Sequence, residues 1–277
     1  MLINARELLA QQKRGKRFLL VDTRDIASWQ AATLPGAVSL NVYDYFIPDS
    51  TEQGLVAMAA SFEAAWQQVV QHDNAVPVFF EQQVGMRSPR GAWFAWFCGY
   101  EEALILDGGL DAWIAAGGEL LPGHAPNAVV AVQQGAELIA DIRLSPLQRQ
   151  WVATRKQIEQ ADGVQQVILD ARRPSEFDGS FVHDCCHRAG RIPGAHLLFW
   201  EDIVEQGAFA GADFIARRAA EAGLQPHQQI MIYCHRGARA ATVLAALRLA
   251  GYQHLSVYVG SWHEWAEHHE LPLSVGS

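Results

Sequence analysis

Short runs of β-branched and other apolar residues alternate with longer amphipathic stretches along the second half of the chain. Residues 167–170 read as a buried strand, 214–222 as a helix, 229–233 as a strand, 240–250 as a helix and 255–259 as a strand. The stretch "SWHEWAEH" then opens a further helix. Strands separated by helical segments pair in parallel, because each crossover carries the chain back over the sheet. The predicted fold class is α/β, a mainly parallel sheet with helices on both faces.

The pattern occurs twice. "FLLVDTRD" in the first half and "QQVILDARR" in the second both end an apolar run in Asp-x-Arg, and a Pro-Gly-Ala turn follows each (35–37 and 193–195). Further on, Gly85 matches Gly237, Arg87 matches Arg239, Gly99 matches Gly251, Gly108 matches Gly260 and Trp113 matches Trp265. Each pair is 152 residues apart (85 to 237, through 113 to 265). A constant offset over that stretch marks two copies of one domain. The expected layout is a first domain over 1–120, a linker over 121–146 headed by "LPGHAPNA", and a second domain over 147–277. The apolar piece "AVVAVQQGAELIA" inside the linker is expected to pack on one domain.

Composition narrows the partners. The chain has 277 residues, half of them hydrophobic, and a net charge of −9. That balance argues against a nucleic acid or an acidic membrane as partner. No apolar run approaches the length of a membrane span, and the N-terminus lacks the order of a signal peptide. Four cysteines (Cys98, Cys185, Cys186, Cys234), two of them adjacent, do not make a secreted disulfide framework, so free thiols and a cytoplasmic location are expected. Two pseudo-symmetric domains can cover one another's faces, and a monomer is expected.

The candidate chemistry lies at Cys234. It directly follows the predicted strand 229–233, and a helix starts a few residues later. Ligands of open parallel sheets bind at the carboxyl ends of the strands. Amides of residues 235–239 can turn inward there as a nest, with the positive end of the helix behind them. Gly237 permits the backbone angle such a turn needs. The setting predicts a nucleophilic thiolate. His235, Arg236, Gly237, Ala238 and Arg239 are the candidate substrate-binding residues, and Arg239 has the alternative role of bracing the loop. Arg191 and Trp262 are candidate pocket residues, with packing the competing reading for Trp262. Asp170 is expected to brace backbone or an arginine.

Asp-x-Arg, then Gly-Arg-Ile-Pro-Gly-Ala (190–195), Cys-His-Arg-Gly-Ala-Arg (234–239) and Val-Gly-Ser-Trp (259–262) together resemble a rhodanese domain. The two-copy layout resembles the tandem-domain sulfurtransferases over nearly the whole chain. The resemblance implies two rhodanese-like domains and a cysteine that carries a sulfane sulfur as a persulfide. It implies no cofactor and no resident metal. The implied partners are a small-molecule sulfur donor and an acceptor: cyanide, a thiol or a thioredoxin-like protein. At the constant offset Cys234 meets Gln82, which is no nucleophile, so the first copy is expected to be catalytically silent. Cys98, well down a helix, is expected to be a packed thiol.

Within the family, basic residues in the cysteine loop (here His235 and Arg236) accompany thiosulfate as donor. A small uncharged loop accompanies 3-mercaptopyruvate. Glu176, where the mercaptopyruvate pattern carries arginine, points the same way. Arg172, Arg173, Arg188 and Arg191 remain as an alternative carboxylate clamp. Phosphatases of the same fold surround phosphate with Cys-x5-Arg. Cys234 to Arg239 is Cys-x4-Arg, a tighter cradle, so a phosphatase, like a non-catalytic interaction module, is a remote alternative.

The insertion "FVHDCCHRAGR" carries His183, Cys185, Cys186 and His187. Adjacent cysteines seldom both reach one tetrahedral ion, and no second ligand pair lies nearby in sequence, so no metal site is expected there.

Overall fold

In a computed structural model, residues 1–45, 49–69, 75–124 and 144–276 are described. The central part of the expected linker, including "AVVAVQQGAELIA", lies outside them. The chain divides into two compact units. Among the described residues, no helix is long and apolar enough to cross a membrane.

The first unit is built on β1 (Leu2–Asn4), β2 (Phe18–Asp22), β3 (Val38–Ser39), β4 (Val76–Phe80) and β5 (Leu104–Asp107), in the order β1-β5-β4-β2-β3. Every pairing in that sheet is parallel. Alternation along the strands sends Ile3, Leu20, Val78, Phe80 and Leu106 to one face. There they bury against Leu8, Leu110 and Trp113 of the helices Ala5–Lys13 and Gly109–Ala115. Phe79 faces the other way and stacks on Trp66 of the helix Glu52–Val69, with ring centroids 5.6 Å apart.

The second unit repeats the plan with β6 (Val152–Ala153), β7 (Gln166–Asp170), β8 (His196–Leu197), β11 (Gln229–Tyr233) and β12 (Leu255–Tyr258), in the order β6-β12-β11-β7-β8, again all parallel. Ile168, Met231, Tyr233 and Tyr258 meet Trp262 and Trp265 of the helix Ser261–Glu267 on one face. The helix Ala238–Leu249 packs along β11 and β12. Observed strand and helix limits fall within two residues of those predicted.

The units differ from the contiguous halves expected from sequence. The first unit includes Val204–Phe209, whose strands β9 (Val204–Glu205) and β10 (Ala208–Phe209) form a two-stranded antiparallel ribbon. Within that unit Val84 N–H donates to Gly207 O (2.7 Å), and Phe209 N–H donates to the Asp107 carboxylate (2.9 Å). The second unit includes residues 49–56. Within it Ser50 N–H donates to Glu264 Oε1 (3.0 Å), the Ser50 hydroxyl accepts Arg155 N–H (2.8 Å), and Glu52 forms a two-pronged pair with Arg149.

Candidate active site

Central strand β11 ends at Tyr233, and Cys234 is the first residue beyond it, buried at 2% exposure. Gly237 takes φ +85°, a left-handed angle that turns the chain into the following helix, which it caps. The same angle brings Gly237 N–H to 3.1 Å from the Cys234 sulfur, in hydrogen-bonding geometry. Cys234 is tied from the opposite side as well. Its N–H donates to the Ser261 hydroxyl (3.2 Å), which donates in turn to Tyr258 O (2.7 Å). Its carbonyl accepts Trp262 N–H (3.0 Å), and His235 O accepts His263 N–H (3.1 Å). Ser261 holds φ +55°, uncommon for a residue with a side chain, and thereby places its hydroxyl under the cysteine backbone.

Arg239 braces the loop. Its guanidinium pairs with both oxygens of the buried Glu176 carboxylate, at 2.5 and 3.0 Å. Burial by itself pushes the Glu176 carboxyl up; the hydrogen bonds and charge of Arg239 outweigh it, and the group lies below the usual carboxylate range. Arg236 is exposed, its Nη2 3.2 Å from His263 Nε2 and 3.8 Å from Cys185 Sγ. Ala238 opens the helix. The His235 ring stacks on His183 (centroids 4.3 Å apart) and on His263 (5.9 Å). Burial, then the charges of His183, His263 and Arg236, push the His235 imidazole down to about 3, so it is neutral near pH 7.

The two pocket candidates occupy other positions. Arg191 lies over the Phe177 ring (4.4 Å), and its guanidinium donates to the carbonyls of Phe177 and Gly276. These contacts tie it to the C-terminal segment. Trp262 is 3% exposed, donates from Nε1 to Arg188 O (3.1 Å) and carries the Arg172 guanidinium over its ring at 4.6 Å. It packs in the core beneath the loop.

Arg172, a candidate for the carboxylate clamp, is engaged inside the unit. It is buried against Asp170 in a two-pronged pair (2.6 Å at the closest approach) and donates to Gly190 O. Arg188 donates to the carbonyls of His268 and Leu271. Cys98 ends the helix Ser88–Phe97, and burial pushes its thiol well up, as a packed thiol requires. A cavity of about 220 Å³, lined by Trp151, Gln229, His254 and Leu255 among others, lies at the amino ends of β11 and β12, away from Cys234.

The sister loop revises one expectation. Asp22 pairs with Phe80 across β2 and β4 as Asp170 pairs with Tyr233 across β7 and β11. Thr23 N–H donates to Phe80 O where Ala171 N–H donates to Tyr233 O. Leu110 N–H donates to Glu81 O where Trp262 N–H donates to Cys234 O. The residue at the cysteine position is therefore Glu81, not Gln82. The first loop is one residue longer, with five residues between Glu81 and Arg87 against four between Cys234 and Arg239. Glu81 Oε1 accepts the N–H groups of Gly85 (3.1 Å), Arg87 (2.9 Å) and Ser88 (2.8 Å) and the Ser88 hydroxyl (3.0 Å). This strand-to-helix turn is an anion cradle, and in the first unit the chain's own carboxylate fills it. Arg87 braces here too, donating to Thr23 O and Asn41 Oδ1.

Cys185 and Cys186 come to the same loop. Both sulfurs face His235 Nε2, at 3.5 and 3.3 Å. Sequence reasoning missed this grouping, because His235 lies about fifty positions from the pair.

A family model described as the rhodanese-like domain matches residues 4–116 and again 149–268. The chain belongs to the rhodanese family, with two copies of the domain in tandem. It is 26% identical over 269 residues to a protein of Pseudomonas aeruginosa named thiosulfate sulfurtransferase, a match covering 96% of this chain and 94% of the relative. A protein of the same name from Azotobacter vinelandii is 26% identical over 262 residues, covering 93% and 91%. Among solved structures, that of YnjE superposes with a TM-score of 0.78 at 20% identity, covering all of this chain and 68% of the other. Wild-type EanB superposes at 0.77 and 17% identity, covering 100% and 69%. Both structural matches extend to the shared fold.

Proposed function

We propose that the protein is a sulfurtransferase that moves a sulfane sulfur from thiosulfate to cyanide or a thiol through a persulfide on Cys234. The observation that carries this reading is the Gly237 N–H aimed at the Cys234 sulfur, in a turn whose sister copy holds a carboxylate. The Cys234 thiolate attacks the outer sulfur of thiosulfate, the S–S bond of the donor breaks, and sulfite leaves with the bonding pair. The persulfide anion then occupies the cradle. Cyanide attacks its outer sulfur, thiocyanate departs, and the thiolate is regenerated.

Every step keeps one negative charge at the loop, which a fixed amide dipole stabilises without reorganisation. Arg236, at the exposed side of the loop, would orient the sulfonate of the donor. The relatives named thiosulfate sulfurtransferase support this donor. 3-Mercaptopyruvate is less well served. Arg172, Arg188 and Arg191, three candidates for a carboxylate clamp, are engaged by Asp170 and by backbone carbonyls.

Mass spectrometry after thiosulfate treatment tests the carrier. One added sulfur on Cys234, lost on addition of cyanide, is the expected result. Sulfur transfer that persists in Cys234→Ser would overturn the reading. Parallel kinetics test the donor: kcat/KM is expected to favour thiosulfate, and a preference of about tenfold for 3-mercaptopyruvate reverses the assignment.

A further inference from the structure

We propose that Cys185, Cys186 and His235 form a binding site for one thiophilic cation, zinc(II) by the donor set, placed beside the Cys234 loop. The three donor atoms lie within 4.8 Å of one another, with the two sulfurs 3.5 and 3.3 Å from the same nitrogen. A zinc ion with Zn–S of about 2.3 Å and Zn–N of about 2.0 Å at a tetrahedral angle sets sulfur and nitrogen roughly 3.5 Å apart. The protein holds that separation already.

Two of the three donors are fixed by independent contacts. The His235 ring is stacked on two other imidazoles, which sets the direction of Nε2. Cys186 N–H donates to His183 O (2.8 Å), closing the turn that presents both thiols, and the Cys186 side chain is seated in the core. Two thiolates and one imidazole select a soft or borderline d10 cation over magnesium or calcium, whose ligands are oxygens. Binding displaces two thiol protons, and the resulting site of zero net charge sits among Arg236 and Arg239 without a repulsive excess. Three protein ligands leave a fourth coordination position for water or a small thiol.

His235 is both a ligand and the neighbour of Cys234. An ion held there immobilises the loop at its mouth, and zinc is expected to suppress sulfur transfer reversibly. This second consequence alone rests on the proposed function.

The test uses full-length protein stripped with a chelator and titrated with cobalt(II) and zinc(II). One equivalent of cobalt with a thiolate-to-metal charge-transfer band is expected, displaced by zinc. Cys234→Ser should keep the band. Cys185→Ser, at an exposed position, should weaken zinc binding by at least about 100-fold. Absence of a one-to-one complex at about 10 μM free zinc overturns the site. So does a band that survives Cys185→Ser and vanishes in Cys234→Ser, which would place the ion on the other cysteine. In a thiosulfate assay zinc should inhibit the parent protein and spare Cys185→Ser. If no transfer occurs at all, the proposed function fails while the cobalt titration still decides the site.

Discussion

Glu81 and Cys234 stand at the same place in two copies of one fold, each the first residue beyond the central strand of its sheet. One fills its turn with a carboxylate and the other offers a sulfur to it. Both turns aim backbone N–H groups at that position, three of them onto the Glu81 carboxylate and that of Gly237 onto the Cys234 sulfur.

Removing the resident anion should therefore cost stability and spare chemistry. Glu81→Ala leaves the amides of Gly85, Arg87 and Ser88 without their acceptor. Unpaired buried donors cost about 1–3 kcal/mol each, reduced where water enters. A loss of about 3 kcal/mol in urea denaturation is expected, with thiosulfate turnover retained. A variant as stable as the parent would show that the cradle does not need its anion.

The Glu176–Arg239 pair carries an acid-sensitive part of the stability. Burial raises the carboxyl, Arg239 more than offsets it, and the folded group lies below its ordinary value of 4.5. On acidification the unfolded chain takes up the proton first, so this contribution is present above about pH 4.5 and fades as pH falls through the folded value. Glu176→Gln should lower stability by about 3 kcal/mol at pH 7 and flatten the Tm profile on the acid side. An unchanged acid limb would mean that other carboxylates set it.

Gly237→Ala tests the turn directly. A side chain at φ +85° costs about 1–2 kcal/mol, and relief of that strain swings the amide off the sulfur. The expected outcome is a fall in kcat/KM well beyond the loss of stability, read by steady-state kinetics beside thermal melts. Equal losses in both would reduce the glycine to a structural role.

Arg236→Ala addresses the donor. If its charge orients the sulfonate, KM for thiosulfate should rise about tenfold, while the cyanide half-reaction of preformed persulfide stays unchanged. A variant altered equally in both half-reactions would assign Arg236 to the loop rather than to the substrate.

The parallel sheets, their duplication and the placing of Cys234 were legible because they depend on short-range pattern: apolar runs, a glycine at the turn, a helix behind it. The occupant of the sister cradle was not. Gly85 and Arg87 keep the 152-residue offset, while the residues before them shift by one, and only backbone pairing reveals a one-residue insertion inside a turn. Gly85 does not take the left-handed angle of Gly237, which the matching letters conceal. The engagement of Arg191 was not legible either, because its partners are backbone carbonyls, which leave no trace in side-chain pattern. Arg172 was the opposite case. Its partner stands two residues earlier, and Arg24 repeats the pair with Asp22. The thiol–imidazole cluster joins segments too far apart in sequence for spacing to suggest it.

The short segments 49–56 and 204–209 bear on how the protein can be dissected. A gene fragment ending near residue 120 would lack Gly207, leaving the Val84 N–H without its acceptor. A fragment beginning near 147 would lack Ser50 and Glu52, stripping Arg155 N–H, Glu264 and Arg149 of their partners. Neither half of the reading frame encodes a complete folding unit, so a cut at the linker yields two incomplete products. Subcloning that respects the repeat in the letters would break the repeat in space.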